Sequence, residues 1–303
     1  MNGIEQSLIG GVEGGSAILL PAIGELISEL AGVVNLGTEG CMLGGALGAY
    51  ALAVATGSAE IGIIGGAIVG GILGFAHGYL TVFRKADQLA SGLVICFLAL
   101  GLTTVFGTSY VNDSINPLPL IKIPLLGSIP WVGPIFFKHD ILVYLGYVLV
   151  AVLIWALYRT RGGLLLRATG ERPEVVAVAG NRPQAIRVIA VSVGSALAGI
   201  GGAQLSVGYV GNWFNDMTGG YGFVAVAVVL FAAWKPLRVL VGAYLFGVAL
   251  AAASVLQAHG VSISQYLLAA LPYLATLAAL VAVSRKGSSN SPEALTRALT
   301  DTS

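Results

Sequence analysis

The chain has 303 residues, 56% hydrophobic and only 10% charged, with a mean hydropathy of +0.89. A soluble domain carries about a quarter charged residues because its surface faces water, so this composition excludes an ordinary soluble fold. The net charge of +1, with no concentrated basic face, argues against nucleic acid as a partner.

Read in chain order, stretches long enough to cross a bilayer recur, since a membrane helix needs about 20 largely uncharged residues. The N-terminus, MNGIEQSLIGG, has no basic residue ahead of its apolar stretch, which argues against a cleaved signal peptide. A first, less clean span runs from about Ser7 to Ser28. Clean intervals follow between Glu39 and Glu60, Glu60 and Arg84, Asp87 and Asp113, Asp140 and Arg159, Arg187 and Asp216, and Asp216 and Lys235. The run from Arg238 to Arg285 has no charge and holds two further spans, with a turn at Gln257-Ala258-His259-Gly260. The expectation is an all-α polytopic membrane protein of about eight or nine spans. The membrane domain covers residues 1–284, and a polar tail covers 285–303.

All of the 15 Lys and Arg residues except Lys122 and Lys138 fall on one side when these spans alternate. Cytoplasmic loops carry the excess of basic residues. That side is therefore expected to be cytoplasmic, with the C-terminal tail, and the N-terminus outside.

Near the first span, ELISELAGVVNLGTEGCML sets Glu25, Glu29, Asn35 and Glu39 around Gly32 and Gly37. Carboxyls at membrane depth are costly and face a cavity, a partner or a helix break, so a broken or re-entrant element is expected here. Glu25 and Glu29 line a pathway or cap helix ends at the cytoplasmic interface; Asn35 and Glu39 read as structural or pathway residues. Further on, Gly62, Gly66, Gly70, Gly74 and Gly78 recur every four residues and make one bare helical ridge. Such a ridge lets neighbouring backbones pack closely, or serves as a track for sliding between states. His77, on the same helix, reads as interfacial or hydrogen-bonded rather than a metal ligand. Cys41 and Cys96 match no metal spacing and read as small buried side chains.

The connection from Thr108 to Asp140 holds Pro117, Pro119, Pro124, Pro130, Pro134 and Trp131, which suggests a structured cap or a short surface helix. The basic segment from Arg159 to Arg187 is long and amphipathic. Within it, Pro173 and Gly180 bracket a short helix, PEVVAVA, with Glu174 near its positive end. Val175, Val176 and Val178 need a cover, either the chain's own membrane domain or a partner protein. In GYVGNWFNDMTGGYGF, Trp213, Phe214, Asn215, Asp216 and Tyr221 gather beside glycines. This set suits stacking and hydrogen bonding of a small polar ring, and equally an interfacial aromatic belt. No GxxxxGK[ST] phosphate loop, HExxH, Ser/His/Asp set or TVGYG filter occurs. The chain therefore reads as a non-enzyme that binds neither metal nor cofactor.

Three stretches, AGVVNLGTEGCMLGGALGAY, LLLRATGERPEVVAVAG and NDMTGGYGFVAVAVVLFAAWKPLRVLVGAYLFG, resemble the permease subunits of bacterial and archaeal ABC importers. The group resembled takes up nucleosides and simple sugars and is related to the ribose and branched-chain amino acid permeases; the likeness runs from about Ile23 to Val283. The resemblance implies alternating access and several partners: two ABC ATPase subunits that carry the ATP, a second permease subunit (a copy or a paralogue) and an extracytoplasmic solute-binding protein. Arg167, Gly170, Glu171, Pro173, Ala177 and Gly180 match its ATPase-coupling motif, so the bracketed helix, with Glu174, would dock on the ATPase. Asn35, Gly37, Glu39 and Gly40 match its first motif, and Asn215, Met217, Gly220, Gly222 and Phe223 its last. The chain departs from the pattern at AAWKPL, where a GRWNPL-like stretch is usual. Alternatives within transport are a branched-chain amino acid or ribose permease. Those of other classes are an ATP-independent transporter or channel and, more remotely, an intramembrane enzyme.

Overall fold

The computed structural model describes residues 3–111, 113–258 and 292–293. Its helices are α1 (Gly3–Leu30), α2 (Thr38–Thr56), α3 (Ala59–Val82), α4 (Gln88–Gly107), α5 (Val132–Phe136), α6 (Ile141–Arg159), α7 (Arg161–Glu171), α8 (Pro173–Val178), α9 (Pro183–Ala203), α10 (Tyr221–Phe231) and α11 (Pro236–Ala258). A 3-10 turn extends α4 to Tyr110, and a π-helical stretch, Gln204–Val210, extends α9. Two-residue strands β1 (Ile121–Lys122) and β2 (Lys138–His139) pair antiparallel, Ile121 opposite His139. Seven helices among the described residues are long and apolar enough to cross a membrane: α1, α2, α3, α4, α6, α9 and α11.

Local chemistry fixes many of the boundaries. Side chains of Ser58, Asp87, Asp140 and Thr160 accept hydrogen bonds from the first free amides of α3, α4, α6 and α7. Gly57, at φ 71°, ends α2 in the left-handed conformation that other residues resist.

α1 is the hub. It packs antiparallel on α9, where Gly24 meets Gly194, and on α11, where Gly11 and Gly15 meet Val248 and Tyr244. Ile18, Leu19, Ile23 and Leu26 form one core with α6, α10 and α11; Met42, Tyr50 and Trp213 anchor a second around α2. The glycine ridge of α3 is buried. Gly62 faces Ala49 of α2, while Gly66, Gly70 and Gly74 lie against Gly199 and Ser195 of α9, where an added methyl would overlap backbone or side-chain atoms. Without a hydrophobic drive in lipid, this close approach supplies the van der Waals contact that holds the helices together. Outward, Ile64, Ile68, Ile72 and Phe75 of α3 and Phe97, Val105 and Phe106 of α4 are exposed, as lipid-facing rows are.

The basic residues Arg84, Lys85, Arg159–Arg187, Lys235 and Arg238 cluster at one end of the bundle, the basic end. The opposite end carries a cap between α4 and α6, built from β1, β2, α5 and a 3-10 turn, Leu126–Ser128. Leu118 N donates to Val207 O and pins the cap to the π-helical end of α9.

Two expected spans come out differently. Between Asp216 and Lys235 the helix is only α10, 11 residues long. Asp216, Gly219 and Gly220 all have positive φ, which no α-helix accommodates. Of the run from Arg238 to Arg285, α11 forms the first span and continues through Gln257 and Ala258. The second span, His259 and Gly260 lie outside the described residues, as does the tail apart from Pro292 and Glu293.

Candidate functional site

Two interruptions of helix meet inside the bundle. The first follows α1, where residues 31–37 fold back as irregular, largely buried backbone before α2 begins. Such backbone is tolerated at membrane depth only when protein or a water-lined cavity satisfies it, and here side chains do so. Glu25 Oε1 accepts from Asn35 N at 2.8 Å, and Glu25 Oε2 from Thr38 Oγ1 at 2.8 Å. Asn35 Oδ1 accepts from Gly37 N at 2.9 Å, while Asn35 Nδ2 donates to Ser195 Oγ of α9 at 3.0 Å. Gln88 Oε1 accepts from Val34 N at 2.9 Å. His77 Nε2 lies 3.1 Å from Val34 O, and a carbonyl can only accept, so this nitrogen holds the proton. Nδ1 then accepts from Ser91 Oγ, 3.1 Å away. Both nitrogens of this fully buried ring are thus engaged in hydrogen bonds.

The second interruption is the stretch 211–220, which leads to the N-terminus of α10. Glu39, in the first turn of α2 and 5% exposed, receives it. Its Oε1 accepts from Thr218 Oγ1 at 2.6 Å and Gly220 N at 2.9 Å, and its Oε2 from Gly222 N at 2.6 Å. A carboxyl is well placed there, because a helix N-terminus presents unpaired amides and the positive end of the helix dipole. At the far end of α10, Trp234 donates its indole N–H to Glu29 Oε2. Glu25, Glu29 and Glu39 therefore tie α1, α2 and α10 together; none of them is exposed on a helix end.

At the basic end, α7 and α8 lie outside the bundle. Pro173 opens α8, and Gly180, at φ 81°, follows its end. Val176 is buried, whereas Val175 is 58% and Val178 91% exposed, an apolar face left open among the described residues. Glu171, Glu174 and Ala177 are exposed as well. Gly170 lies so close to the Leu30 carbonyl that any side chain would collide with it. Arg187 makes the second link: its Nε donates to Ala31 O at 3.1 Å and its Nη2 to Thr169 O at 3.4 Å. One guanidinium thus bridges the C-terminal ends of α1 and α7, where carbonyls lack helical partners. Arg167 stacks its guanidinium 5.2 Å from the Tyr158 ring centroid, a cation–π contact. From the tail, Glu293 N donates to Glu171 Oε2 at 3.3 Å, and Arg172 Nε lies 3.8 Å from Glu293 Oε2.

The residues of the last motif do not share one lining. Trp213 is 1% exposed, packed against Gly107 in the core around α2. Phe214, Asn215 and Asp216 are exposed. Tyr221 is half-buried and borders a cleft between α1 and α11. Asn35 and Glu39 are buried in the joints already described. Sequence reasoning passed over Arg187, Ser195, Thr218 and Trp234, each the partner of a residue it did single out. Arg187 served only to mark an interval; its position four residues after the Pro183 helix start was the available signal.

A bundle of apolar helices with two buried breaks, and a short helix held outside it, is the architecture of a polytopic membrane protein. The chain belongs to the family of branched-chain amino acid transport system permease components, which it matches over residues 8–283. It is 42% identical over 240 residues to a putative glucose ABC transporter permease protein of Haloferax volcanii, covering 78% of this chain and 73% of that protein. A nucleoside ABC transporter permease protein of Lactococcus lactis is 34% identical over 244 residues, 76% of each chain. A guanosine ABC transporter permease protein of Bacillus subtilis is 30% identical over 245 residues, 77% of this chain and 76% of that one. The protein is an integral membrane permease subunit of an ABC importer.

Proposed function

We propose that this permease imports nucleosides or simple sugars by alternating access, driven by ATPase subunits that dock on α8 at the cytoplasmic, basic end. ATP binding and hydrolysis belong to those partners, and this chain holds no cofactor or metal. A second permease subunit, a copy or a paralogue, completes the pathway, and a solute-binding protein delivers substrate to the capped end. The substrates named for the glucose, nucleoside and guanosine relatives support this class over branched-chain amino acids, despite the family's description.

The observation that carries the reading is the physical route from α8 into the bundle. The exposed valines of α8 would meet the ATPase. Arg187 and Gly170 then hold the α7–α8 segment against the end of α1, directly before the break that contains Asn35. Movement at α8 is thereby passed to Asn35, Glu39 and the start of α10, which together with Trp213, Phe214, Asn215, Asp216 and Tyr221 are the proposed pathway set. A ligand shifts such an equilibrium only through different affinities for its two states, so direction comes from the partners. The test is uptake into proteoliposomes holding the complete transporter, with labelled guanosine, glucose and leucine. ATP-dependent uptake of guanosine or glucose is expected; ATP-dependent uptake of leucine alone overturns the substrate class.

A further inference from the structure

A cleft of about 240 Å³ opens between α1, the π-helical end of α9 and α11, and Tyr221 stands at its edge. Into it faces Glu13, a residue that the joints at Glu25 and Glu39 do not involve. Glu13 lies ten residues into α1, about 15 Å along the axis, level with His139 of the cap strand β2. The Glu13 side chain remains 17% exposed, and its Oε1 lies 3.5 Å from His139 Nδ1, an ion pair whenever the ring is protonated. His139 is fully buried and its Nε2 donates to Ile135 O at 2.7 Å; its Nδ1, without a hydrogen-bond partner among the described residues, faces Glu13 favourably only when it carries a proton as well. Asp140, next in the chain, is fully occupied: it accepts from Leu142 N, Val143 N and Gln204 Nε2. Glu13 is thus a partly exposed carboxyl that lines the cleft and has one cationic partner, His139, when that ring is protonated.

The rest of the lining suits a neutral polyhydroxylated molecule. Tyr209, 58% exposed, supplies an aromatic face and a hydroxyl, and Gln6 and Ser254 add further polar groups. Among the described residues a β-carbon on Gly14 would meet nothing within 4 Å, so this part of the lining is open. Resting on the substrate class proposed above, we infer that Glu13 accepts hydrogen bonds from the vicinal hydroxyls of the transported molecule while Tyr209 lies against its ring. The diol is the chemistry that a ribonucleoside and a hexose share, so one site serves either.

Two measurements on the complete transporter test this. First, Glu13→Gln should lower the maximal rate of guanosine or glucose uptake about tenfold, and Tyr209→Ala should also lower it. ATP hydrolysis stimulated by the loaded binding protein should persist, because docking is untouched. Uptake of whichever substrate the wild type carries then tells nucleoside from hexose. Second, with Cys41 and Cys96 replaced by alanine, Ser254→Cys should react with a water-soluble methanethiosulfonate reagent, and saturating substrate should slow the reaction. Wild-type uptake rates in both variants, or a thiol at position 254 that stays unreactive, overturns the assignment. Failure of the substrate class is a separate outcome: wild-type transporter then takes up neither compound, the diol assignment falls with it, and thiol reactivity still decides whether the cleft is aqueous.

Discussion

At the scale of single residues, Glu39 shows how a motif acquires its spacing. Its two carboxyl oxygens face three donors across a gap of about 180 residues in sequence, so the first and last motifs are two halves of one joint. A glutamine side chain has the same shape but offers one acceptor oxygen and an NH2 group, which would point at either Gly220 N or Gly222 N. A donor facing a donor leaves a buried amide unsatisfied, at a cost of about 1–3 kcal/mol. Glu39→Gln should therefore lower the midpoint of thermal unfolding of the purified permease and reduce uptake, and Glu39→Ala should do so further. Thermal melts of the three proteins in one detergent check this. A glutamine variant as stable as wild type would mean that the carboxyl is not what holds α10 in place. The glycines at positions 220 and 222 follow from the same geometry: Gly220 has φ 90°, and any side chain at Gly222 would run into the Glu39 backbone.

At the scale of elements, the connection between α8 and the bundle makes the coupling argument concrete. Ala177 is exposed on α8, so Ala177→Trp should fold normally yet block docking of a partner. Arg187→Ala is the complementary change. It changes no residue of α8 but frees the carbonyls of Ala31 and Thr169, removing two charge-assisted hydrogen bonds, each worth about 1.5–3 kcal/mol. The tryptophan variant should lose both ATPase association and uptake. The alanine variant should keep association and ATP hydrolysis but lose most transport, the signature of uncoupling. Co-purification with the ATPase and paired hydrolysis and uptake rates separate the two, and normal transport by both variants refutes the route. Much of this architecture was legible in the sequence. Uncharged intervals located α2, α3, α4, α6, α9 and α11, and Pro173 with Gly180 bracketed α8, because both signals are local. The break at 31–37 was visible because carboxyls are so costly in lipid. The shortness of α10 was hidden: hydropathy registers Val and Ala in VAVAVVLF but not the backbone angles of Asp216 and Gly219 ahead of them. Pairings such as Glu39 with Thr218, or Arg187 with Ala31, depend on which helices become neighbours, and no spacing along the chain encodes that. Glu13 escaped notice because it stands alone in IGGVEGGSAILL; a solitary acidic residue among glycines in an apolar run was the signal.

At the scale of the whole molecule, one asymmetry organises the rest. The described basic residues gather at the end where α7 and α8 stand clear of the bundle, while the cap carries Lys122 and Lys138 on a small two-stranded sheet. Retention of Lys and Arg in the cytoplasm is the strongest determinant of orientation in membrane helices. Reversing this chain would send the whole Arg159–Arg187 segment across the bilayer and leave α8 in a compartment without ATP. The proposed orientation thus matches the proposed energy source, and it can be tested without knowing the substrate. Cys41 and Cys96 are both buried, so a chain with alanine at both positions gives a thiol-free background at small packing cost. Lys122 and Glu171 are exposed at opposite ends. In intact cells a membrane-impermeant maleimide should label Lys122→Cys and spare Glu171→Cys; after permeabilisation both should label. The reverse pattern would place α8 outside, and docking of a cytoplasmic ATPase on it would then be impossible. Labelling of both sites in intact cells would mean mixed insertion, and the basic-end asymmetry would not be strong enough to set the direction of transport.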